Sequence, residues 1–600
     1  MANTKNFIAK NGYSTGDGYD MPDVRPSLLL DFANSKTLDP RITFTRGSTA
    51  TYWDGKTTTK AEENLSTNSQ TIANLSQTNT TATDNDATAP DGTTTATKIV
   101  VNTTTNTFQD AYLNAQTTVT GETYTHSVYA KAGTGVSAVY LYSTIGGTGL
   151  IAKFNISTGA YIGNASGDGY GAFDSYSIAS VGNNWYRIQA TKTETTGASR
   201  AFTLGVSNTT TDDVTQYSGN GTNFCHLWGV QIEQRSSATA YTATTSAPIV
   251  KYQPTLQTAA SGEARFDHDP VTGESKGLLI EEARTNALTS SETATWSFSN
   301  VYSQPFLYNT VIAPDGTLTA DTVTGPEVDP SSRLEKSLSY ASGTKLVLSF
   351  FQKTIWGNLD SSTTPVFAFS NSVGIQASSV VSEDVGNGWY RLHYVLTTTA
   401  SSQTLRLYYD GNVTNADKIA LWGYQLEAGA FPTSYIPTSG STVTRSSDRA
   451  NMSLSGVYSS GPVSMYVEAA EAGDVDYARL VLLSDGTNNN RMQITISESS
   501  GDVQAYAETN DVPQASLNRS FDPAYKTFFK AAAAFDRDNL SVTAGGLTTV
   551  SDTTIITPQV TNLYLGSLND ANADSGATFK KVALYPTRLS NATLQAMTEE

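Results

Sequence analysis

Leu227-Trp228-Gly229-Val230-Gln231-Ile232-Glu233 returns later in the chain as Leu421-Trp422-Gly423-Tyr424-Gln425-Leu426-Glu427. In the first copy Trp228, Val230 and Ile232 alternate with Gly229, Gln231 and Glu233, the period-two spacing of a strand with one apolar and one polar face. Trp422, Tyr424 and Leu426 hold the matching positions in the second. Two more blocks repeat in the same order. Ala89-Pro90-Asp91-Gly92-Thr93 recurs as Ala313-Pro314-Asp315-Gly316-Thr317, and Val181-Gly182-Asn183-Asn184-Trp185-Tyr186-Arg187-Ile188 as Val385-Gly386-Asn387-Gly388-Trp389-Tyr390-Arg391-Leu392. The offset between copies falls from 224 to 204 to 194 residues, as two diverged modules with altered loop lengths require. Short Thr-rich and Tyr-rich runs separated by Gly, Asn and Asp fill the intervals, at the spacing of a sandwich. Each copy therefore reads as a jelly-roll β-sandwich, and the fold class as all-β.

The bulk composition agrees. Six hundred residues exceed one core, and 38% apolar content suffices for thin sandwiches. Charged residues are 15% of the chain, below the roughly 25% of average soluble proteins. The formal charge of −18 and the lack of a basic stripe exclude nucleic acid as the expected partner. The single cysteine, Cys225, permits no intrachain disulfide framework. The opening residues lead into no apolar run, and no stretch approaches the ~18 apolar residues of a membrane span, so neither secretion nor membrane insertion is expected.

Outside the copies lie Leu28-Leu29-Leu30-Asp31-Phe32, Arg41 to Arg46, and Tyr52-Trp53-Asp54-Gly55-Lys56, where Asp-Gly predicts a two-residue hairpin turn. Arg265 to Glu274 running into Gly277-Leu278-Leu279-Ile280-Glu281 reads as strand, turn, strand. The expected layout is an N-terminal segment 1–23, a β-hairpin framework 24–62 completed by 250–285, jelly rolls at 63–249 and 286–445, and a third sandwich at 446–600. Ser590 is placed to cap a closing helix through Met597, with Leu589 and Leu594 as a hydrophobic staple.

Pro26 to Asn34, Asp39 to Arg46 and the Arg265 to Glu282 segment resemble a recurrent framework of tailed-bacteriophage virion proteins. In that family the framework joins carbohydrate-binding-module-like jelly rolls to a concanavalin A or laminin-G-like sandwich. The Trp-Tyr-Arg and Trp-Gly-x-Gln-x-Glu copies resemble the former, and Tyr585 to Ala592 the latter. Lys5-Asn6-Phe7-Ile8-Ala9-Lys10-Asn11-Gly12 resembles the particle-attaching start of phage fibres. The resemblance implies a virion location, contact with other virion proteins through the N-terminus, host-surface glycans as ligands, and a homo-oligomer, a trimer by analogy with phage fibres. A chain of extracellular composition without signal or disulfides also fits a protein made in a bacterial cytoplasm and released by lysis.

Candidate sites are few. Trp185 and Trp389, with Arg187 and Arg391 beside them, lie on the polar side of their strands, where an indole stacks on a sugar or covers the sandwich edge. Trp228 and Trp422 are expected in the cores. Asp267, Asp269 and Glu274 offer three carboxylates around one turn, a start for Ca²⁺ or an Asx-type turn held by the Asp side chains. No cofactor is otherwise implied. Glu281 and Glu282 are strand neighbours pointing to opposite faces, so they do not flank one glycosidic bond. The four histidines form no metal or nucleophile pattern; His126 and His226 are expected as satisfied structural imidazoles. The expected function is a non-enzymatic virion appendage, a tail or head fibre that meets glycans. The alternatives are a capsid or tail cement protein that binds no sugar, and a polysaccharide depolymerase.

Overall fold

The computed structural model describes residues 24–103, 107–145, 148–211, 218–292, 297–299, 307–324, 333–357, 367–369, 374–409, 418–471, 478–497, 502–521, 526–566 and 576–599. The segment expected to attach to a particle, residues 1–23, lies outside them. The fold is all-β, with every named strand pair antiparallel. Among the described residues no helix is long and apolar enough to cross a membrane.

The first jelly roll has two six-stranded sheets. One runs Ala160–Gly163, Thr148–Asn155, Ala138–Ile145, Ser199–Ser207, Asp110–Thr117, Ser76–Thr78; the other runs Ser175–Ser180, Trp185–Thr193, Thr123–Ala132, Phe224–Glu233, Ala96–Val101, Thr80–Ala87. Alternation sends Val128, Leu141, Ile188, Leu204, Val230 and Ile232 into the space between them. The second jelly roll pairs a four-stranded sheet with a larger one centred on Lys345–Trp356, Trp389–Thr398 and Lys418–Ala428, around Leu346, Leu348, Leu392 and Leu426.

The two copies share a set of equivalent hydrogen bonds. Trp228 Nε1 donates to Thr95 Oγ1 and Trp422 Nε1 to Thr319 Oγ1, both at 3.0 Å. Ser69 Oγ meets Tyr241 OH at 2.6 Å, and Ser291 Oγ meets Tyr435 OH at 2.7 Å. Thr239 N donates to Glu233 and Thr433 N to Glu427, both at 3.0 Å. Both glutamates are buried and hold their following loops.

One expectation fails at the same residue in both copies. Trp228 and Trp422 are buried, but not in the sandwich cores. Gly229 and Gly423 adopt φ of +65° and +68°, and the pairing register slips beside each. The resulting β-bulge breaks the alternation, so the tryptophan turns to the outer face while Leu227 and Val230 both point inward.

The framework is longer and more dispersed than a pair of hairpins. Asp54-Gly55 makes no hairpin: Ala50–Asn64 is a single 15-residue strand paired with Ile249–Ala259. Its register shifts near Asp54-Gly55, whose glycine lies against the His268 ring. The extra residues of Ala50–Asn64 are taken up in bulges, so at about 3.3 Å per residue the ribbon spans roughly 35 Å, the length of its 11-residue partner strand, and carries the first jelly roll at its far end. The second jelly roll lies along the ribbon through Lys353–Glu62 at 2.6 Å and Gln253 Nε2 donating to Ala313 O at 2.6 Å. The other framework strands join the C-terminal sandwich. Leu28–Asp31 and Ser275–Ile280 both pair with Ala577–Tyr585, and Thr43–Thr45 pairs with Arg449–Ser453. Leu28, Leu30, Phe32, Leu278 and Ile280 belong to the same core as Val467, Ile494 and Phe535. The closing helix, Asn591–Thr598, starts at Ser590, whose side chain accepts from Thr593 N, and Leu589 and Leu594 share one cluster.

Where framework, second jelly roll and C-terminal sandwich meet, five buried charges interlock. Arg46 Nη1 pairs with Asp448 at 3.0 Å, and Arg265 pairs with both Asp448 and Glu281, the latter at 2.7 Å. Arg445 stands 3.6 Å from Glu281, which also accepts from Ser434 N at 2.7 Å. Burial works against the Glu281 charge, but Arg445 and Arg265 outweigh it and hold this carboxyl well below its usual range. His126 is the reverse case. It is buried in the first core, edge-on to Phe202 at 5.4 Å, and neither ring nitrogen has a hydrogen-bond partner. Desolvation lowers its pKa to about 3, so it is a neutral imidazole without the satisfied bonds expected of it.

Two outcomes follow. Asp448→Ala leaves Arg46 and Arg265 buried and short of a partner, and should lower stability by roughly 3–5 kcal/mol in calorimetry of the full chain. Because the folded His126 pKa lies below the unfolded value near 6.5, the unfolded chain binds the proton first as pH falls. The first jelly roll should lose roughly 2–3 kcal/mol between pH 7 and pH 4.5 from this group alone, and His126→Phe should flatten that segment of a stability–pH profile.

Candidate functional site

The tryptophans that the sequence marks for sugar stacking are both closed off. Trp185 and Trp389 are each 1% exposed, so neither offers a ring face to a ligand. The physical reason is the outward bulge. In the first copy Trp185, Trp228, Tyr129 and Tyr241 form one outer aromatic cluster, and Trp356 from the second copy covers it, 5.6 Å from Trp228 and 5.9 Å from Tyr129. In the second copy Trp389, Trp422, Phe351 and Tyr435 form the equivalent cluster, against which Trp53 and Leu256 of the ribbon pack. Arg187 lies over Tyr129 at 5.1 Å and Arg391 over Phe351 at 5.5 Å, completing each socket by cation–π contact. These motif residues join module to module.

The three turn carboxylates do not converge either. Asp267 is drawn inward to accept from Trp53 N at 2.9 Å, and Asp269 caps its own turn by accepting from Val271 N and Thr272 N, both at 2.9 Å. Glu274 stands apart, 3.3 Å from Lys580. Among the described residues no group of three His, Cys, Asp or Glu is placed to hold a metal ion. Asp267 and Arg391 do meet: both line a cleft between framework, second jelly roll and C-terminal sandwich.

The accessible aromatic surface lies elsewhere, on the outer face of the first jelly roll's other sheet. Strand Ala138–Ile145 sends Val139 and Leu141 into the core, which aims Tyr140 and Tyr142 outward. Tyr140 is buried beneath this layer and lies across Gly205, where a Cβ would fall 1.7 Å from its ring. Above it Phe108 stacks with Tyr142 at 6.4 Å, and Tyr170 meets Tyr142 edge-on at 5.8 Å. Tyr112 stands across from Thr203 and is 38% exposed. Asp110, in register with Gly205, brings a carboxyl whose pKa burial raises against the opposing Thr78 hydroxyl. Lys153 is buried beside Tyr140, donating to Thr209 Oγ1 at 2.9 Å. The face thus combines ring surfaces with a half-buried carboxyl, groups suited to the C–H faces and hydroxyls of a sugar chain, while the buried Lys153 ammonium supports it from beneath. Its sequence signal was the alternation Val139-Tyr140-Leu141-Tyr142, which has the same period as the repeated blocks but no counterpart to draw attention to it.

No protein-family model matches the chain, and no curated protein matches it either. Among solved structures, the carbohydrate-binding module CBM40 of the Ruminococcus gnavus IT-sialidase is similar over 23% of this chain and 83% of its own, at 14% identity and a TM-score of 0.20. Chicken galectin 2 is similar over 20% of this chain and 88% of its own, at 11% identity and a TM-score of 0.16. The Bacillus licheniformis beta-glucanase is similar over 24% of this chain and 73% of its own, at 20% identity and a TM-score of 0.19.

Proposed function

We propose that the chain is a non-enzymatic surface appendage of a tailed-phage virion, a tail or head fibre whose first jelly roll touches host glycan through the Tyr112–Tyr142–Tyr170 face. The observation that carries this reading is that aromatic layer, on a module set at the end of a long two-stranded ribbon. The resemblance of the Pro26 to Asn34 and Arg265 to Glu282 segments to virion frameworks supplies the setting. The net charge of −18 turns the protein away from polyanions and leaves uncharged glycans as natural partners. Display as a homo-oligomer, a trimer by analogy with fibres, multiplies weak single contacts through effective concentration.

A second reading has its own support. Trp185, Arg187, Trp389 and Arg391 serve docking between modules, which is what a capsid or tail cement protein with no sugar site would use them for.

Binding of the purified chain to host cells separates the two. Under the first reading Tyr112→Ala together with Tyr142→Ala lowers binding at least about tenfold, with Tm close to wild type. Unchanged binding would favour the cement role. Light scattering should give a mass that is a multiple of the monomer, and a monomer both in solution and on the particle would count against a fibre.

A further inference from the structure

The cleft that unites Asp267 with Arg391 has a composition that the docking sockets do not explain. Three parts of the chain wall it: Tyr52, Trp53 and Lys276 from the framework, Glu383 from the second jelly roll, and Lys526 and Phe528 from the C-terminal sandwich. The cleft is open at its mouth and holds a cavity of about 110 Å³, well below a drug-sized pocket, so it admits no more than one small residue. Charged donors and acceptors share its lining. Glu383 reaches Lys526 at 2.6 Å and Lys276 at 3.9 Å, and those two ammonium groups outweigh its burial and hold its pKa at about 2. Asp267 spends one oxygen on Trp53 N, and desolvation pushes its pKa up. Arg391 donates to Thr433 O at 2.7 Å and Ser349 Oγ at 3.1 Å. Glu281, at the cleft floor, is committed to Arg265 and Arg445. The cations Lys276, Arg391 and Lys526 are thus matched by Asp267, Glu383 and Glu471 in the same lining.

A balanced ring of charges gives no net pull on a phosphate or a carboxylate. Paired donors and acceptors beside aromatic walls suit a group that both gives and accepts hydrogen bonds around an apolar face. One sugar ring has that chemistry. We infer that the junction cleft binds a single uncharged sugar residue, the end of a glycan chain, at a place separate from the outer face of the first jelly roll. The inference rests on the glycan-binding reading above. It also gives the three-part junction a use: a bound residue would touch framework, jelly roll and C-terminal sandwich together and brace their arrangement.

The test uses the full chain and the methyl glycosides of glucose, galactose, mannose and N-acetylglucosamine, followed by saturation-transfer NMR and titration calorimetry. At least one glycoside should bind, and Lys276→Ala and Phe528→Ala should each weaken it about tenfold. Lys276 makes only 3.9 Å ion pairs, so its removal leaves the fold intact and keeps the test clean if Phe528→Ala destabilises the chain. Tyr112→Ala with Tyr142→Ala should leave glycoside binding within about twofold of wild type. Loss of glycoside binding in that pair, or wild-type binding in both cleft variants, would overturn the inference. If no glycoside binds while host polysaccharide still binds through Tyr112 and Tyr142, the cleft inference fails and the glycan-binding reading stands. If neither binds, both fail.

Discussion

Everything in the arrangement of this chain passes through the buried cluster of Arg46, Arg265, Glu281, Arg445 and Asp448. Such a cluster gains little net stability, because removing five charges from water costs nearly what their attraction returns. What it supplies is uniqueness. Asp448 accepts from Arg46 and Arg265 and also from Glu281 N, while Arg46 donates onward to Ala260 O. Each group meets a partner 163 or more residues away, and no shifted register satisfies all of them at once. A misplaced framework strand would leave an unpaired buried charge, which is among the largest penalties a single error incurs.

The duplicated module shows a second constraint of the same kind. A jelly roll that only filled its own core would expose the outer face of the sheet that carries its tryptophans. The bulge at Gly229 and Gly423 turns a tryptophan onto that face, and the face then needs a cover. Trp356 covers the first copy and Trp53 the second. Trp356 is the last residue of strand Lys345–Trp356, so the second jelly roll closes the first one's socket while the framework ribbon closes the second's. Once a module docks by this rule a second can be inserted behind it, and two diverged copies retaining the same hydrogen bonds are the expected trace.

The outlines of both jelly rolls and of the closing helix were legible because period-two alternation and a staple motif are local signals. The inward or outward sense of Trp228 and Trp422 was not, because one left-handed glycine resets the period and the sequence shows only that a glycine is present. Asp54-Gly55 misled for a related reason: the dipeptide that favours a hairpin turn also suits a bulge, and pairing with Ile249–Ala259, nearly 200 residues on, decides between them. The merger of Leu28–Asp31 and Ser275–Ile280 with the C-terminal sandwich depends on nonlocal edges that no local pattern encodes. Of the candidate site residues, Trp185 shares a closed socket with Arg187 and Trp389 with Arg391, and Asp267 joins Arg391 in lining a cleft rather than a stacking platform. The Tyr140 and Tyr142 alternation has the period of the repeated blocks but stands in one copy only, so repetition does not single it out.

The position of the aromatic face sets what kind of binding it can support. Tyr112 is the most open ring of the layer, and Tyr142, Tyr170 and Phe108 are half-buried against Tyr140. A sugar laid there would bury little new area and would stack on one or two rings, so a single module binds weakly. A ribbon of roughly 35 Å changes the value of that weakness. The second jelly roll packs against both the ribbon and the socket of the module that carries the face. On the proposed reading, identical faces on neighbouring chains then meet a repetitive surface polymer at a spacing fixed by the assembly. The second and third contacts are gained at high local concentration, and the sum is strong while each member remains reversible. A tight single site would forfeit that reversibility, so the modest aromatic layer is consistent with the architecture that carries it.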